Sequence, residues 1–412
     1  MELRCITRSV QLVEMSETYI QDYFIQLEKG KTNTINGWIR LDGLQKQQSV
    51  TVEIPEIGLK QIVATNTEGY AALNLTTNKL QLWTPDKPKL YVVRLSTATD
   101  SVSDKIGFRT IETRGTDIIL NGKPVFLKGV CIHEEAPYRS GRCYSDDDAR
   151  TLLTWAKDMG CNFVRLAHYP HNEAMTRMAD LMGLMVWSEV PVYWSIQFEK
   201  PEVYANTENQ LTENISRDKN RASVVIWSVA NETPNNEARL NFLKKLLTKT
   251  RSLDPTRLTA AACFASSNKT AYKLEDPLGE FLDVMGCNEY IGWYSMPAEF
   301  APTTTWTSKY DKPLIMSEFG GEGIAGLHGK SDEIWSEEYQ NRIYENQVKM
   351  FDNIPFLRGT SAWILMDFRS PKRMLPIKQN FYNRKGLVSD KGIKKLAFYT
   401  LQKWYESKVI KN

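Results

Sequence analysis

Ser223-Val-Val-Ile-Trp-Ser-Val-Ala-Asn-Glu232 is an almost unbroken apolar stretch that runs straight into an amide and a carboxylate, and Thr233-Pro234 ends it. A short, continuous apolar run bounded by a turn reads as a strand buried on both faces. The same texture recurs on either side. Upstream it predicts strands over 125–131, 161–166 and 184–188, and downstream over 257–264, 282–287, 313–317 and 358–364. Between most of these runs the apolar period becomes that of a helix, over 146–160, 173–182, 236–251 and 337–351, and over 392–406 after the last strand. Ser145 stands as N-cap and Gly160 as C-cap of the first helix. Eight buried strands alternating with helices predict a (β/α)8 TIM barrel. A doubly wound open sheet shares the alternation and is the competing architecture.

Residues 1–113 differ. Short alternating segments, among them Tyr23-Phe-Ile-Gln-Leu27, Thr34-Ile-Asn-Gly-Trp-Ile-Arg-Leu41, Val50-Thr-Val-Glu-Ile54 and Leu90-Tyr-Val-Val-Arg-Leu95, are broken by turn residues. They predict an antiparallel, immunoglobulin-like β-sandwich over 16–113, followed by the barrel at 114–412. Asn121-Gly122 is a hairpin-turn signal at the barrel's entrance. Met1-Glu2-Leu3-Arg4 leads directly into strand-like sequence, without the pattern of a signal peptide.

The 412 residues are 42% hydrophobic and 25% charged, which excludes disordered, collagen-like and coiled-coil chains. A formal net charge of +3 is a poor basis for holding nucleic acid through the net field. No apolar run approaches the ~20 residues that cross a bilayer. Eleven Trp, 18 Tyr and 15 Phe suit a sugar-binding cleft and equally a large core. The six cysteines form no CxxC, and several lie in apolar runs. Buried free thiols are expected rather than a disulfide framework or a zinc site.

The active site of such a barrel lies at the C-terminal ends of its strands. The first strand is followed there by His133, Glu134 and Glu135, the second by His168-Tyr-Pro-His171, and the third ends at Glu189. The fourth gives Asn231-Glu232, the sixth Asn288-Glu289-Tyr290, the seventh Glu318, and the eighth Trp363 and Asp367. Carboxylates and aromatic rings crowd one rim, the composition of a cleft that cleaves glycosides. A single strand-end Glu is ordinarily a solvated loop residue. Here Leu314-Ile-Met-Ser-Glu-Phe-Gly320 repeats the device of an apolar strand running into Glu, three strands after Glu232. His168 and His171, joined by His133, are a metal alternative, although a Tyr-Pro turn keeps the pair off one helix face. Gly321-Glu-Gly-Ile-Ala-Gly326 has the letters of a dinucleotide fingerprint without a clear βαβ unit around it. Gly329-Lys-Ser331 lacks the upstream Gly of a phosphate loop, and GxSxG does not occur.

At these residues the sequence resembles glycoside hydrolase family 2, the β-glucuronidase and β-galactosidase family. Asn121-Gly-Lys-Pro-Val-Phe-Leu-Lys-Gly-Val130 is similar to its barrel opening, and Asn162-Phe-Val-Arg-Leu-Ala-His-Tyr-Pro170 to its second-strand motif. Arg217-Asp-Lys-Asn-Arg-Ala-Ser-Val-Val-Ile-Trp-Ser-Val-Ala-Asn-Glu232 resembles its acid/base signature, and Ser317-Glu-Phe-Gly320 stands at its nucleophile position. Asn288-Glu-Tyr-Ile-Gly-Trp-Tyr294, Ala325-Gly-Leu-His328, Trp335-Ser-Glu-Glu-Tyr-Gln340 and Asn383-Arg-Lys-Gly386 are similar to the glucuronidase branch.

The resemblance implies a retaining exo-β-glycosidase acting on terminal β-D-glucuronides through a covalent glycosyl-enzyme, with no metal and no cofactor. A β-galactosidase is the alternative within the family; a non-catalytic glycan-binding relative and a metal-dependent hydrolase are the rival classes. It implies Glu318 as nucleophile and Glu232 as general acid and then base, with carboxyl groups ~5–5.5 Å apart. Arg165 is the positive neighbour that keeps Glu318 ionised, and Tyr290 is a hydrogen-bond donor to the same carboxylate. Asn231 takes the sugar 2-hydroxyl, while His168, Asn288, Tyr294 and Trp363 line the sugar pocket. Asn383 and Lys385 hold the sugar carboxylate, and Arg384 between them points away. The expected partner is a carbohydrate, not nucleic acid or a membrane, and a homo-oligomer is compatible. Bacterial relatives work in the cytoplasm or periplasm. Two departures stand out. The sugar-binding jelly roll that precedes the sandwich in this family is absent, with residues 1–15 reading as its last strand. An Arg common four residues before Asn383 is Gln379, so one charge is missing.

Overall fold

A computed structural model describes residues 10–408. Residues 1–9, with most of the jelly-roll remnant expected over 1–15, lie outside the described residues. Residues 10–16 carry no regular element and are exposed.

Seven antiparallel strands follow, in two sheets. One sheet orders Thr18–Leu27, Thr34–Gly43 and Tyr70–Thr76; the other orders Leu59–Ala64, Ser49–Ile54, Tyr91–Ser96 and Ser101–Ile106. Alternation drives the pairing. Tyr91–Ser96 buries every second residue, so Val93 and Leu95 face the other sheet while Val92 and Arg94 face solvent. Ile25, Ile35, Ile39, Val50, Val52 and Phe108 fill the space between the sheets.

A hairpin of Asp117–Leu120 and Lys123–Pro124 turns through Asn121 and Gly122, both with positive φ, as the Asn-Gly pair requires. Eight parallel strands then close into a barrel. They are β1 (Leu127–Ile132), β2 (Phe163–Leu166), β3 (Met185–Glu189), β4 (Val224–Asn231), β5 (Leu258–Cys263), β6 (Val284–Asn288), β7 (Leu314–Glu318) and β8 (Leu357–Ala362). Closure leaves no sheet edge, and the open-sheet alternative is thereby excluded. The helices are α1 (Asp146–Asp158), α2 (Glu173–Met182), α3 (Pro201–Asp218), α4 (Glu237–Leu253), α5 (Glu337–Asp352) and α6 (Leu396–Ser407).

Two crossovers lack an α-helix. Between β5 and β6 the chain makes a small hairpin and a 3-10 turn at Pro277–Glu280; between β6 and β7 it makes a 3-10 segment at Ala298–Thr303 and a short strand. The expected start of the last helix at 392 is corrected to Leu396. Lys395 before it is extended and fully buried, with Nζ donating to Asp367 Oδ1 at 2.8 Å. The five described cysteines are free and buried. Among the described residues no helix is long and apolar enough to cross a membrane.

The sandwich docks on the N-terminal end of the barrel. Arg109 is almost fully buried and donates Nε to the Ala222 carbonyl at 3.1 Å, with a further bond to the Val224 carbonyl. Asn220 accepts from Ile25 N at 2.9 Å and donates to the Tyr23 carbonyl at 2.9 Å, while Arg221 pairs with Asp104. Lys219, Asn220 and Arg221, inside the stretch that resembles the acid/base signature, therefore face the sandwich at the opposite end from Glu232. The segment positions the strand, and only its last two residues reach the mouth.

Candidate active site

Arg165 organises the C-terminal end of the barrel. Parallel register puts it level with Cys131 on β1 and Trp187 on β3, pointing inward and wholly buried. NH1 donates to Glu318 Oε1 at 2.8 Å and to the Ser317 carbonyl at 3.0 Å. NH2 donates to Glu189 Oε1 at 3.1 Å and to Asn231 Oδ1 at 2.7 Å. One guanidinium thus joins β2, β3, β4 and β7 in the planar fork geometry that suits Arg and not Lys.

The two carboxylates it binds respond differently. Burial would raise Glu189, but Arg165, His168 and the Trp187 indole outweigh it and hold the group down at about 2. Burial dominates at Glu318 and keeps it above the ordinary value of 4.5, against the lowering from Arg165 and His168. Tyr290 donates to Glu318 Oε2 at 2.6 Å, and His168 Nε2 lies 3.6 Å from Oε1.

Glu232 is the first residue beyond β4, and its φ of 51° is unusual for a residue with a side chain. Asn288 Nδ2 donates to Glu232 Oε1 at 3.0 Å, and Trp194 Nε1 donates to Oε2 at 3.1 Å. Asn231 Oδ1 accepts from both Arg165 and Asn288, which leaves its amide nitrogen to the cavity. His168 stacks on Trp363, ring centroids 4.9 Å apart at 14°, and its Nδ1 pairs with Glu189 Oε1 at 2.8 Å.

On another side of the mouth, Lys385 is buried and donates Nζ to Tyr294 Oη at 2.6 Å, with Glu322 Oε1 at 3.7 Å. Arg373 donates NH2 to the same Tyr294 oxygen at 2.8 Å and NH1 to Glu322 at 3.1 Å. Gln379 also donates to Glu322, at 3.2 Å. Burial lowers Lys385. Burial would raise Tyr294, but Lys385 and Arg373 outweigh it and bring it below 10.0. Asn383 Oδ1 caps the backbone N–H of Lys385 at 3.0 Å. A side chain at Gly386 would collide with the Asp367 backbone, so glycine is needed where this loop crosses β8's extension.

These groups surround a cavity of about 750 Å³. Of the residues singled out in the sequence, Glu232, Glu318, Asn231, His168, Tyr290, Tyr294, Trp363, Asn383 and Lys385 line it. Asn288 does not; it sits behind Glu232 and holds it, a correction to its expected place on the cavity wall. Arg165 lies beneath the floor, and Arg384 turns to Asp367 and Asp390. His168 and His171 do not converge: His171 Nε2 lies 3.1 Å from the Ala167 carbonyl. The sequence reading missed Tyr193, Trp194, Arg373 and Glu322. Tyr193-Trp194 follow β3 closely enough for the strand-end rule to have found them. Arg373 sits in a long irregular loop, where no such rule applies.

A closed parallel barrel with two carboxylates at its C-terminal mouth, one on a buried Arg, defines a two-carboxylate barrel protein. The chain belongs to glycosyl hydrolases family 2: residues 111–409 match that family's TIM barrel domain and residues 18–109 match the family's preceding domain. Rat β-glucuronidase is 29% identical over 97% of this chain and 63% of its own length. The chain thus spans under two thirds of that relative. A solved β-galacturonidase from Eisenbergiella tayi superposes with a TM-score of 0.84 at 26% identity, covering 97% of this chain and 74% of that one. The β-glucuronidase of Ruminococcus gnavus gives 0.81 at 26%, covering 96% and 69%.

Proposed function

We propose that this chain hydrolyses terminal β-D-glucuronides with retention of anomeric configuration. The observation that carries the reaction class is the pair Glu232 and Glu318 on one cavity, with a buried guanidinium on Glu318 alone. Glu318 attacks the anomeric carbon as the bond to the leaving oxygen breaks, and Glu232 gives that oxygen its proton. In the second step water attacks the same carbon, Glu232 takes the water proton, and Glu318 departs as a carboxylate. Asn231 holds the 2-hydroxyl through its amide nitrogen.

The uronic preference rests on Lys385 and Arg373. Their charges exceed that of Glu322 by one, and both reach the Tyr294 hydroxyl at the cavity wall. A cation surplus made of the buried Lys385 and the half-buried Arg373 suits a sugar carboxylate, whereas the neutral C6 of a galactoside offers it nothing. Arg373 supplies the charge that Gln379 lacks. The likeness to a β-galacturonidase favours one second reading, a β-galacturonide, since a C6 carboxylate is common to both sugars.

Initial rates on 4-nitrophenyl β-glucuronide, β-galacturonide, β-galactoside and β-glucoside test the proposal. The glucuronide is expected to lead, and the two neutral sugars to trail by at least tenfold. A preference for either neutral sugar overturns the uronic reading. Inversion at C1, followed by NMR, overturns the mechanism.

A further inference from the structure

Four cations, Arg369, Lys372, Arg373 and Lys385, stand on one wall of the cavity. Two carboxylates answer them. Glu322 serves Arg373 at 3.1 Å and Lys385 at 3.7 Å, and Glu135 serves Arg369 at 3.7 Å. The Lys372 ammonium makes no hydrogen bond and no ion pair among the described residues. This wall therefore carries a surplus of two positive charges, and the carboxylate of one uronic acid neutralises one of them.

Backbone bonds hold Lys372 in place. Ser370-Pro-Lys-Arg373 is a β-turn, closed by the Arg373 N–H on the Ser370 carbonyl at 2.8 Å, with Pro371 where its fixed φ suits the turn. The base of the turn is tied twice. Ser370 N–H donates to the Phe381 carbonyl at 2.7 Å, and Phe381 N–H donates to the Arg373 carbonyl at 2.8 Å. Before the turn, Phe368–Arg369 pairs with Tyr382–Asn383, and Arg369 N–H donates to Glu135 Oε2 at 2.8 Å. Along the same wall burial falls outward. Lys385 is 1% exposed, the Arg373 side chain is 31% exposed, and Lys372 is exposed. In the proposed reaction the terminal sugar lies deep, against Lys385 and the two carboxylates. Whatever it is joined to extends past Lys372 towards solvent, and a cavity of about 750 Å³ has room for it.

We infer that Lys372 recognises a second anion, carried by the group to which the terminal uronic acid is joined. The substrate is then an acidic glycan rather than the glucuronide of a neutral alcohol or phenol. This rests on the uronic reading of Lys385 and Arg373. The anion is a carboxylate or a sulfate ester. An ammonium binds either as a point charge, so charge rather than shape sets the preference.

Disaccharides of β-glucuronate joined to a neutral, a uronic or a sulfated sugar test the inference, beside 4-nitrophenyl β-glucuronide. The parent chain is expected to favour an acidic second sugar by roughly three- to tenfold in kcat/KM, through KM, and added salt is expected to erode the preference. Lys372→Ala is expected to erase it and Lys372→Arg to keep it. The side chain is exposed, so neither change endangers the fold. A lead of the uronic sugar over the sulfated one supports a carboxylate as the anion, and the reverse supports a sulfate. Equal rates on neutral and acidic second sugars overturn the inference. An equal loss on all substrates in Lys372→Ala also overturns it, and moves Lys372 to the terminal carboxylate. The 4-nitrophenyl substrate keeps the two readings apart. If the parent chain does not hydrolyse it, the uronic reading falls and this inference with it; if it does and shows no acidic preference, only the role of Lys372 falls.

Discussion

Arg165 NH1 lies 2.8 Å from Glu318 Oε1, and the two residues, 153 positions apart in the chain, are both buried in the barrel's upper end. Burial and the guanidinium act on Glu318 in opposite senses, and burial prevails. A nucleophile must be ionised, so the acid limb of kcat/KM is expected above pH 4.5. Arg165→Met removes the lowering contribution and moves that limb to still higher pH, with a fall in kcat at neutral pH. A limb that stays in place would show Glu318 to be insulated from Arg165. The pH dependence of initial rates decides it.

Removal of each carboxylate separates their roles. Glu318→Gln is expected to abolish turnover even of activated substrates, because no glycosyl-enzyme forms. Glu232→Ala is expected to retain glycosylation by substrates with good leaving groups and to be accelerated by azide, giving the β-glycosyl azide. Product analysis by NMR reads both, and the reverse pattern exchanges the roles. With a mechanism-based inhibitor bound, the two carboxyl groups are expected ~5–5.5 Å apart.

Lys385→Ala is expected to lower kcat/KM on glucuronides by roughly ten- to a hundred-fold, from a charge-assisted bond of ~1.5–3 kcal/mol. Neutral glucosides and galactosides should be nearly unaffected. Arg373→Ala should act in the same direction. Equal losses on charged and neutral sugars would remove both residues from carboxylate recognition.

Glu189 gives a stability signature. Its carboxyl lies at about 2 in the folded chain against 4.5 ordinarily. The stabilisation is therefore present above pH 4.5 and is lost as pH falls towards 2. Urea unfolding of Glu189→Gln is expected to show a weaker loss of stability between pH 5 and 3 than the parent chain. Parallel curves would show that Glu189 titrates normally.

Arg109→Met tests the docking of the sandwich. The change roughly keeps volume but removes the Arg109 donor from the buried Ala222 carbonyl, at about 1–3 kcal/mol, while Arg257 Nε still donates to the Val224 carbonyl at 3.2 Å. A lower urea midpoint is expected, with kcat per folded molecule unchanged. An unchanged midpoint would mean that water replaces the guanidinium.

The sequence by itself determined the alternation of elements. Each barrel strand is a short apolar run buried on both sides, so its composition alone marks it, as in Val224–Asn231. The helices with a clear apolar stripe were equally legible: Glu173–Met182 was expected with the bounds it has. Helix α3 was not singled out, because its buried face is largely polar: Thr207, Asn214 and Asp218 beside Leu211 and Ile215. The strand-end rule also pointed to Glu232 and Glu318, since closing a parallel barrel brings all C-terminal strand ends to one rim. Only the tertiary structure decided which side chains meet on that rim. That Asn288 sits behind Glu232 and off the cavity wall, that Trp194 donates to Oε2, and that Arg373 reaches Tyr294 and Glu322 all depend on loop paths. Those paths are set by many small contacts between residues distant in sequence, and no local pattern of residue types encodes them.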